Sequence, residues 1–136
     1  MATIAVTSSD VTRAARAGAM AAVNLCTGLA GNADSTNIAD RGGLTGGGAL
    51  VITNVAGAIP TVTVNIEGSA DGVAWFNIPY ALVSSPRTFV LTALTITTAA
   101  TTTYLLQELV FWRFIKTVQS ANTNESLTVD YYPSAS

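Results

Sequence analysis

Val62-Thr63-Val64-Asn65-Ile66-Glu67-Gly68-Ser69-Ala70-Asp71-Gly72-Val73-Ala74-Trp75-Phe76-Asn77-Ile78 is the stretch that decides the fold. Val62, Val64 and Ile66 fall on one side of an extended chain, and Thr61, Thr63, Asn65 and Glu67 on the other, the period-two signature of a half-buried strand. Asp71-Gly72 supplies the positive φ of a tight reversal, so the stretch reads as a hairpin in fixed register. Trp75, three residues past the turn, is expected to drop onto the core. Asp71, Gly72 and Trp75 are thus fold-determining.

The same grammar extends in both directions. Strands are expected over Leu50 to Val55, Val62 to Glu67, Val73 to Ile78, Arg87 to Leu91, Tyr104 to Leu109, Phe111 to Val118 and Ser126 to Tyr132. Leu127, Val129 and Tyr131 repeat the alternation. Short strands rich in Thr and Val, separated by Gly, Asn, Ser and Pro, predict a mostly β chain, an antiparallel sandwich or jelly roll.

The N-terminal third reads differently. After a short strand at Thr3 to Thr7, Ser8, Ser9 and Asp10 offer N-caps to the Ala-rich run Val11 to Leu25, which predicts one short helix. A less regular arm packed on a neighbouring subunit is the alternative. Gly28 to Gly48 loses periodicity and collects Gly, Asn, Asp and Ser, predicting a loop or linker. The expected organisation is an arm over residues 1–48 and a β domain over residues 49–136.

Composition narrows the function classes. Only 10% of the 136 residues are charged, against about a quarter in ordinary globular domains, so Thr, Ser, Asn and Gly cover the outside. Such a surface suits a molecule whose faces lie against neighbours. The six cations Arg13, Arg16, Arg41, Arg87, Arg113 and Lys116 are scattered and the net charge is -2. Phosphate backbones and anionic membrane surfaces need clustered Lys and Arg, so neither is an expected partner. No run approaches the roughly eighteen apolar residues of a membrane-spanning helix. A lipoprotein signal before Cys26 fails on Leu25, where cleavage wants a small residue.

Catalytic chemistry is scarce. With no His and one Cys, the sequence lacks Ser-His and Cys-His pairs, an internal disulfide and a Cys/His zinc site. Glu67 and Asp71 bracket the hairpin as a conceivable acid pair, both expected at exposed positions. Asn32, Asp34, Asn37 and Asp40 are oxygen ligands whose spacing departs from a calcium loop and reads better as a solvated polar loop. Gly42 to Gly48 has no following Lys-Ser or Lys-Thr and is no phosphate loop. No catalytic residue, cofactor or metal is expected.

Val64-Asn65-Ile66-Glu67-Gly68-Ser69-Ala70-Asp71-Gly72-Val73-Ala74-Trp75, with Phe111-Trp112-Arg113-Phe114-Ile115-Lys116 and Leu127-Thr128-Val129-Asp130-Tyr131, resembles small β-sandwich virion proteins of tailed bacteriophages, most of all head decoration (cement) proteins. The resemblance covers Leu50 to Tyr132. It implies a homo-oligomer, a dimer or trimer, made in the host cytoplasm and carried on the capsid surface, where it binds the major capsid protein or other virion proteins. A neck or tail component of the virion is the near alternative. Discoidin-like carbohydrate-binding jelly rolls carry a similar turn, but their usual disulfide is impossible with Cys26 alone.

Phe111, Trp112 and Phe114 cannot all face one core, because neighbours in a strand alternate sides. The surplus aromatic makes this segment the leading interface candidate, with a core on both faces, under the N-terminal arm, as the equal alternative. Arg13 and Arg16 on the Ala-rich run, and Tyr132 near the C terminus, complete the expected interface; a solvated helix face for the arginines and a strand end for Tyr132 are the alternatives.

Overall fold

The computed structural model describes residues 11–13, 15–16, 19–20, 22–42, 48–107 and 112–133, with side chains from residue 22 onward. Among the described residues there are eleven strands: β1 Val11–Arg13, β2 Ala15–Arg16, β3 Ala19–Met20, β4 Val23–Ala30, β5 Ile38–Asp40, β6 Ala49–Ser69, β7 Phe76–Asn77, β8 Tyr80–Leu82, β9 Leu94–Ile96, β10 Thr101–Leu106 and β11 Phe114–Tyr132. The chain is mostly β, as its alternation predicts. Among the described residues there is no helix, and so none long and apolar enough to cross a membrane.

Two long antiparallel strands, β6 and β11, run side by side and form the axis of the sheet. Beyond β6 lie β10 against residues 49–53, β9 against 62–64 and β7 against 67–68. β8 pairs β10 and ends that side. Beyond β11 lie β4 against residues 126–131 and β5 against 114–115, with β1 parallel to β5. β2 and β3 form a separate two-stranded pair.

Leu50, Ile52, Val62, Val64 and Ile66 of β6 and Ile115, Leu127, Val129 and Tyr131 of β11 are buried in one cluster, joined by Val23, Leu25 and Cys26 of β4 and by Tyr80, Tyr104 and Leu106. Both halves of the long strands therefore feed a common core. Between the halves the register slips around Ser120 to Glu125. Here Ile59, Ala121 and Asn124 adopt positive φ of 46°, 49° and 57°. Such irregularities sharpen local bending and twist. Asparagines hold the bend. Asn124 Nδ2 donates to the Ala58 carbonyl at 2.7 Å, and Asn122 donates to the Gly31 and Glu125 carbonyls.

The hairpin forms with Glu67 opposite Asn77 and Gly68 opposite Phe76. Asp71 organises its loop by accepting the backbone N–H groups of Val73 and Ala74, while the Gly72 N–H is bonded to Ser69 Oγ. Gly72 takes φ 81°, where a Cβ is disfavoured. Trp75 is buried against Ile38 and Phe114 in a second, smaller cluster. The second strand is shorter than expected, since only Phe76–Asn77 pairs with β6 and Val73 to Trp75 stay outside the ladder.

Three expectations need correction. The helix predicted over Val11 to Leu25 is replaced, among its described residues, by β1, β2, β3 and the start of β4. Ala is the best helix former, but propensity yields to tertiary context, and from Val23 onward pairing of β4 with β11 overrides it. Residues 28–48, expected as a loop, contain the end of β4, all of β5 and the buried side chains of Ser35, Asp40 and Arg41. Finally, the separate strands expected on either side of residues 56–61 and 119–125 are two continuous ones, and Arg87 to Leu91 contributes only a bridge from Val90 to Tyr80.

Candidate functional site

Leu82, Val83, Phe89, Val90 and Leu91 are 38–56% exposed, at the end of β8 and on the segment that follows it at the edge of the sheet. The segment leaves β8 through a turn, in which Ser85 N–H donates to the Leu82 carbonyl and Thr88 N–H to the Ser85 carbonyl. It then returns along β8, where Val90 and Tyr80 exchange backbone hydrogen bonds of 2.8 and 3.0 Å. Its far side therefore continues the sheet edge outward, with Arg87 the only charged residue between Tyr80 and Ala93. A sheet edge lined by large apolar side chains is a site for another chain to pack or pair.

The residues expected at the interface lie elsewhere. Trp112 is half-buried, stacked on Phe76 with ring centroids 5.7 Å apart, and packed over Gly68, where any Cβ would meet its Cγ at 2.5 Å. Tyr132 is exposed at the end of β11. The backbones of Arg13 and Arg16 lie in β1 and β2, their side chains outside the described ones. Phe111 lies outside the described residues. Arg113, next to Trp112, forms a two-pronged bond to Asp40, Nε to Oδ1 at 3.0 Å and Nη2 to Oδ2 at 3.1 Å. Arg41 is buried behind it and donates from Nη1 to the Trp112 carbonyl at 2.7 Å. The aromatic segment is thus held down by two arginines.

A second constellation is buried. Lys116 stands opposite Glu67 in the β6–β11 ladder, both on the face turned away from Ile66 and Ile115. Asp34 approaches from the other side of β11, through a bridge to Val118 and a 2.7 Å bond from Ser35 N–H to the Thr117 carbonyl. Lys116 Nζ lies 2.8 Å from Asp34 Oδ2 and 3.9 Å from Glu67 Oε1, with the Trp75 ring centroid 4.4 Å away. The three side chains are 0%, 12% and 2% exposed respectively. Burial raises the Glu67 pKa above the ordinary carboxylate range, Lys116 pulls it down and Asp34 pushes it up. Glu67 was expected at an exposed strand end. It is buried instead, with Lys116 opposite it on β11 and Asn77 of β7 on its other side.

Glu67 and Asp71 do not form an acid pair, since Asp71 is spent on its own loop. The four oxygen ligands of the polar loop also diverge. Asn32 accepts the Asn122 N–H, Asp34 meets Lys116, Asn37 donates to the Asn24 carbonyl and Asp40 holds Arg113. Among the described residues no three His, Cys, Asp or Glu side chains are grouped to hold a metal ion.

Where β6 runs beside β10, Asn54 donates from Nδ2 to buried Glu125 and to the Thr98 carbonyl. Burial raises the Glu125 pKa, and the Asn54 bond opposes it. Asn54 also lines a polar recess of about 150 Å3 with Thr95, Thr98, Thr102 and Tyr104. This holds a few waters or a small hydroxylated group, and it presents no nucleophile with a base beside it. No known family, characterised protein or solved structure matches the chain.

Proposed function

We propose that the chain is a non-enzymatic structural protein of a phage virion, a capsid decoration protein of β-sandwich form that docks on shell subunits. The observation carrying this reading is the exposed apolar edge formed by Leu82, Val83, Phe89, Val90 and Leu91. The occupant it fits is a flat, weakly charged protein surface, because Arg87 alone offers an ionic contact and hydroxyl groups surround the patch.

Covering five half-exposed apolar side chains yields roughly 5 kcal/mol. Association costs about 4–15 kcal/mol in lost freedom. One edge alone therefore holds weakly. A dimer or trimer presenting several edges to a repeating shell gains avidity from a high effective concentration, which is the setting a decoration protein occupies. Reinforcement follows because contacts made only in the assembled shell raise the barrier to rupture.

Virions produced with and without the protein provide the test. The reading requires particles lacking it to release DNA at lower temperature. Equal heat resistance overturns the decoration role and leaves the neck or tail position, which uses the same kind of contact. The polar recess beside Asn54 favours the carbohydrate-binding alternative, which silence on a glycan array removes.

A further inference from the structure

We propose that the side chains of Lys116 and Asp34 condense into an intramolecular amide, with Glu67 carrying the proton between nucleophile and leaving group. The reading goes beyond docking and is independent of it. Three observations on different strands converge. The ladder puts Glu67 beside Lys116, the bridge at Val118 brings Asp34 to the other side, and Lys116 Nζ is already in contact with the carboxyl it would attack. Trp75 closes the cluster, leaving Lys116 without solvent exposure.

In water an amine and a carboxylic acid remain an ion pair, because both ions are well hydrated and water is in excess. Enclosure removes both conditions: it takes the pair out of bulk water, and it excludes the water that would hydrolyse the product. Fixed contact replaces a bimolecular encounter, an advantage that reaches effective molarities on the order of 10^5 M or more in well-oriented systems.

The step balances without any co-reactant. A proton passes from the Lys116 ammonium to the Asp34 carboxylate, leaving a neutral amine beside a neutral acid. Nζ attacks Cγ and the C–N bond forms. Glu67 in its acid form protonates the departing hydroxyl as the C–O bond breaks, and its carboxylate recovers a proton from the nitrogen. One ammonium and one carboxylate become one amide and one water, and Glu67 ends as it began. Its raised proton affinity suits it to hold the acid form. Asp34, the most exposed of the three, lies where the water can leave.

Mass spectrometry of the full chain, folded and then denatured, tests the bond. The wild type is expected to be lighter than its sequence by one water. Amidated Lys116 resists trypsin, so peptides 17–41 and 114–136 should travel as one species. Lys116→Arg and Asp34→Ala should restore the full mass and separate the peptides. Glu67→Gln, with both partners in place, should leave most of the chain unlinked; linkage at the wild-type rate overturns the role of Glu67. A full-mass wild type after prolonged incubation overturns the proposal, whatever the variants do. Loss of water confined to peptide 17–41, with normal cleavage after Lys116, also overturns it, since that marks ring closure of Asp34 onto the Ser35 nitrogen.

Discussion

Trp75→Ala removes the largest side chain of the outer cluster, and the cost follows from its surroundings. Trp75 is 4% exposed and packs on Ile38 and Phe114. An indole buries about 200 Å2, worth roughly 5 kcal/mol at 25 cal/mol per Å2. In the chain without the amide, its attraction for the Lys116 ammonium adds about 1 kcal/mol. One term opposes these. Trp75 Nε1 is buried with no hydrogen-bond partner, and removing it relieves a penalty of about 1–3 kcal/mol. The net loss is about 3–5 kcal/mol, the usual range for a core aromatic cut to Ala. For a domain of this size that lowers the melting temperature by roughly 10–17 °C. Urea unfolding and calorimetry, with a folded baseline from far-UV circular dichroism, measure it. Melting within about 3 °C of wild type would refute the burial of Trp75 and the closed roof over Lys116.

Three further outcomes are expected. Gly68→Ala places a Cβ 2.5 Å from Trp112 Cγ and 2.7 Å from Ile78 Cδ1, so overpacking should cost about 1–3 kcal/mol in denaturant melts; an unchanged midpoint would show that Trp112 does not rest there. Burial raises the Cys26 thiol pKa to about 11, so thiol reagents at neutral pH should label it only in denaturant, and rapid labelling of the folded chain would contradict its place in the core. Glu125 holds its proton more tightly folded than unfolded, so its contribution to stability falls as pH rises from the ordinary value of 4.5 through the raised folded value. Glu125→Gln should therefore gain stability relative to wild type with rising pH, and a gain that shrinks instead would contradict the shift.

The hairpin was legible because its signals are local: alternation of Val62, Val64 and Ile66, then Asp71-Gly72. β4 was not, because what makes it a strand is pairing with β11. Its Cys26 Sγ reaches the Leu127 carbonyl, a partner 101 residues away. Ala-rich composition pointed locally to helix, and no local signal announced the partner. Gly57, Pro60, Asn122 and Asn124 read as strand ends, yet they punctuate bends inside β6 and β11, where one chain passes through without leaving the sheet.

The same division holds for the sites. Trp75 and its turn were visible. The apolar edge was missed because Phe89 to Leu91 read as part of an ordinary strand and Leu82 and Val83 fell between the expected strands, and only the sheet order places them at its boundary. Lys116 was counted among scattered cations. A partial signal did exist: Lys116 shares its side of the strand with Phe114 and Val118, so that side carries apolar neighbours of its own. Glu67 gave none, because it falls in phase with the polar residues Thr63 and Asn65, and only the ladder brings it opposite Lys116.

A cryo-EM reconstruction of particles carrying the protein decides whether the apolar edge is the docking face. Residues 82–91 are expected to lie against a shell subunit, with Phe89 and Leu91 covered. A map in which the chain is attached through another face while this segment stands in solvent would contradict it.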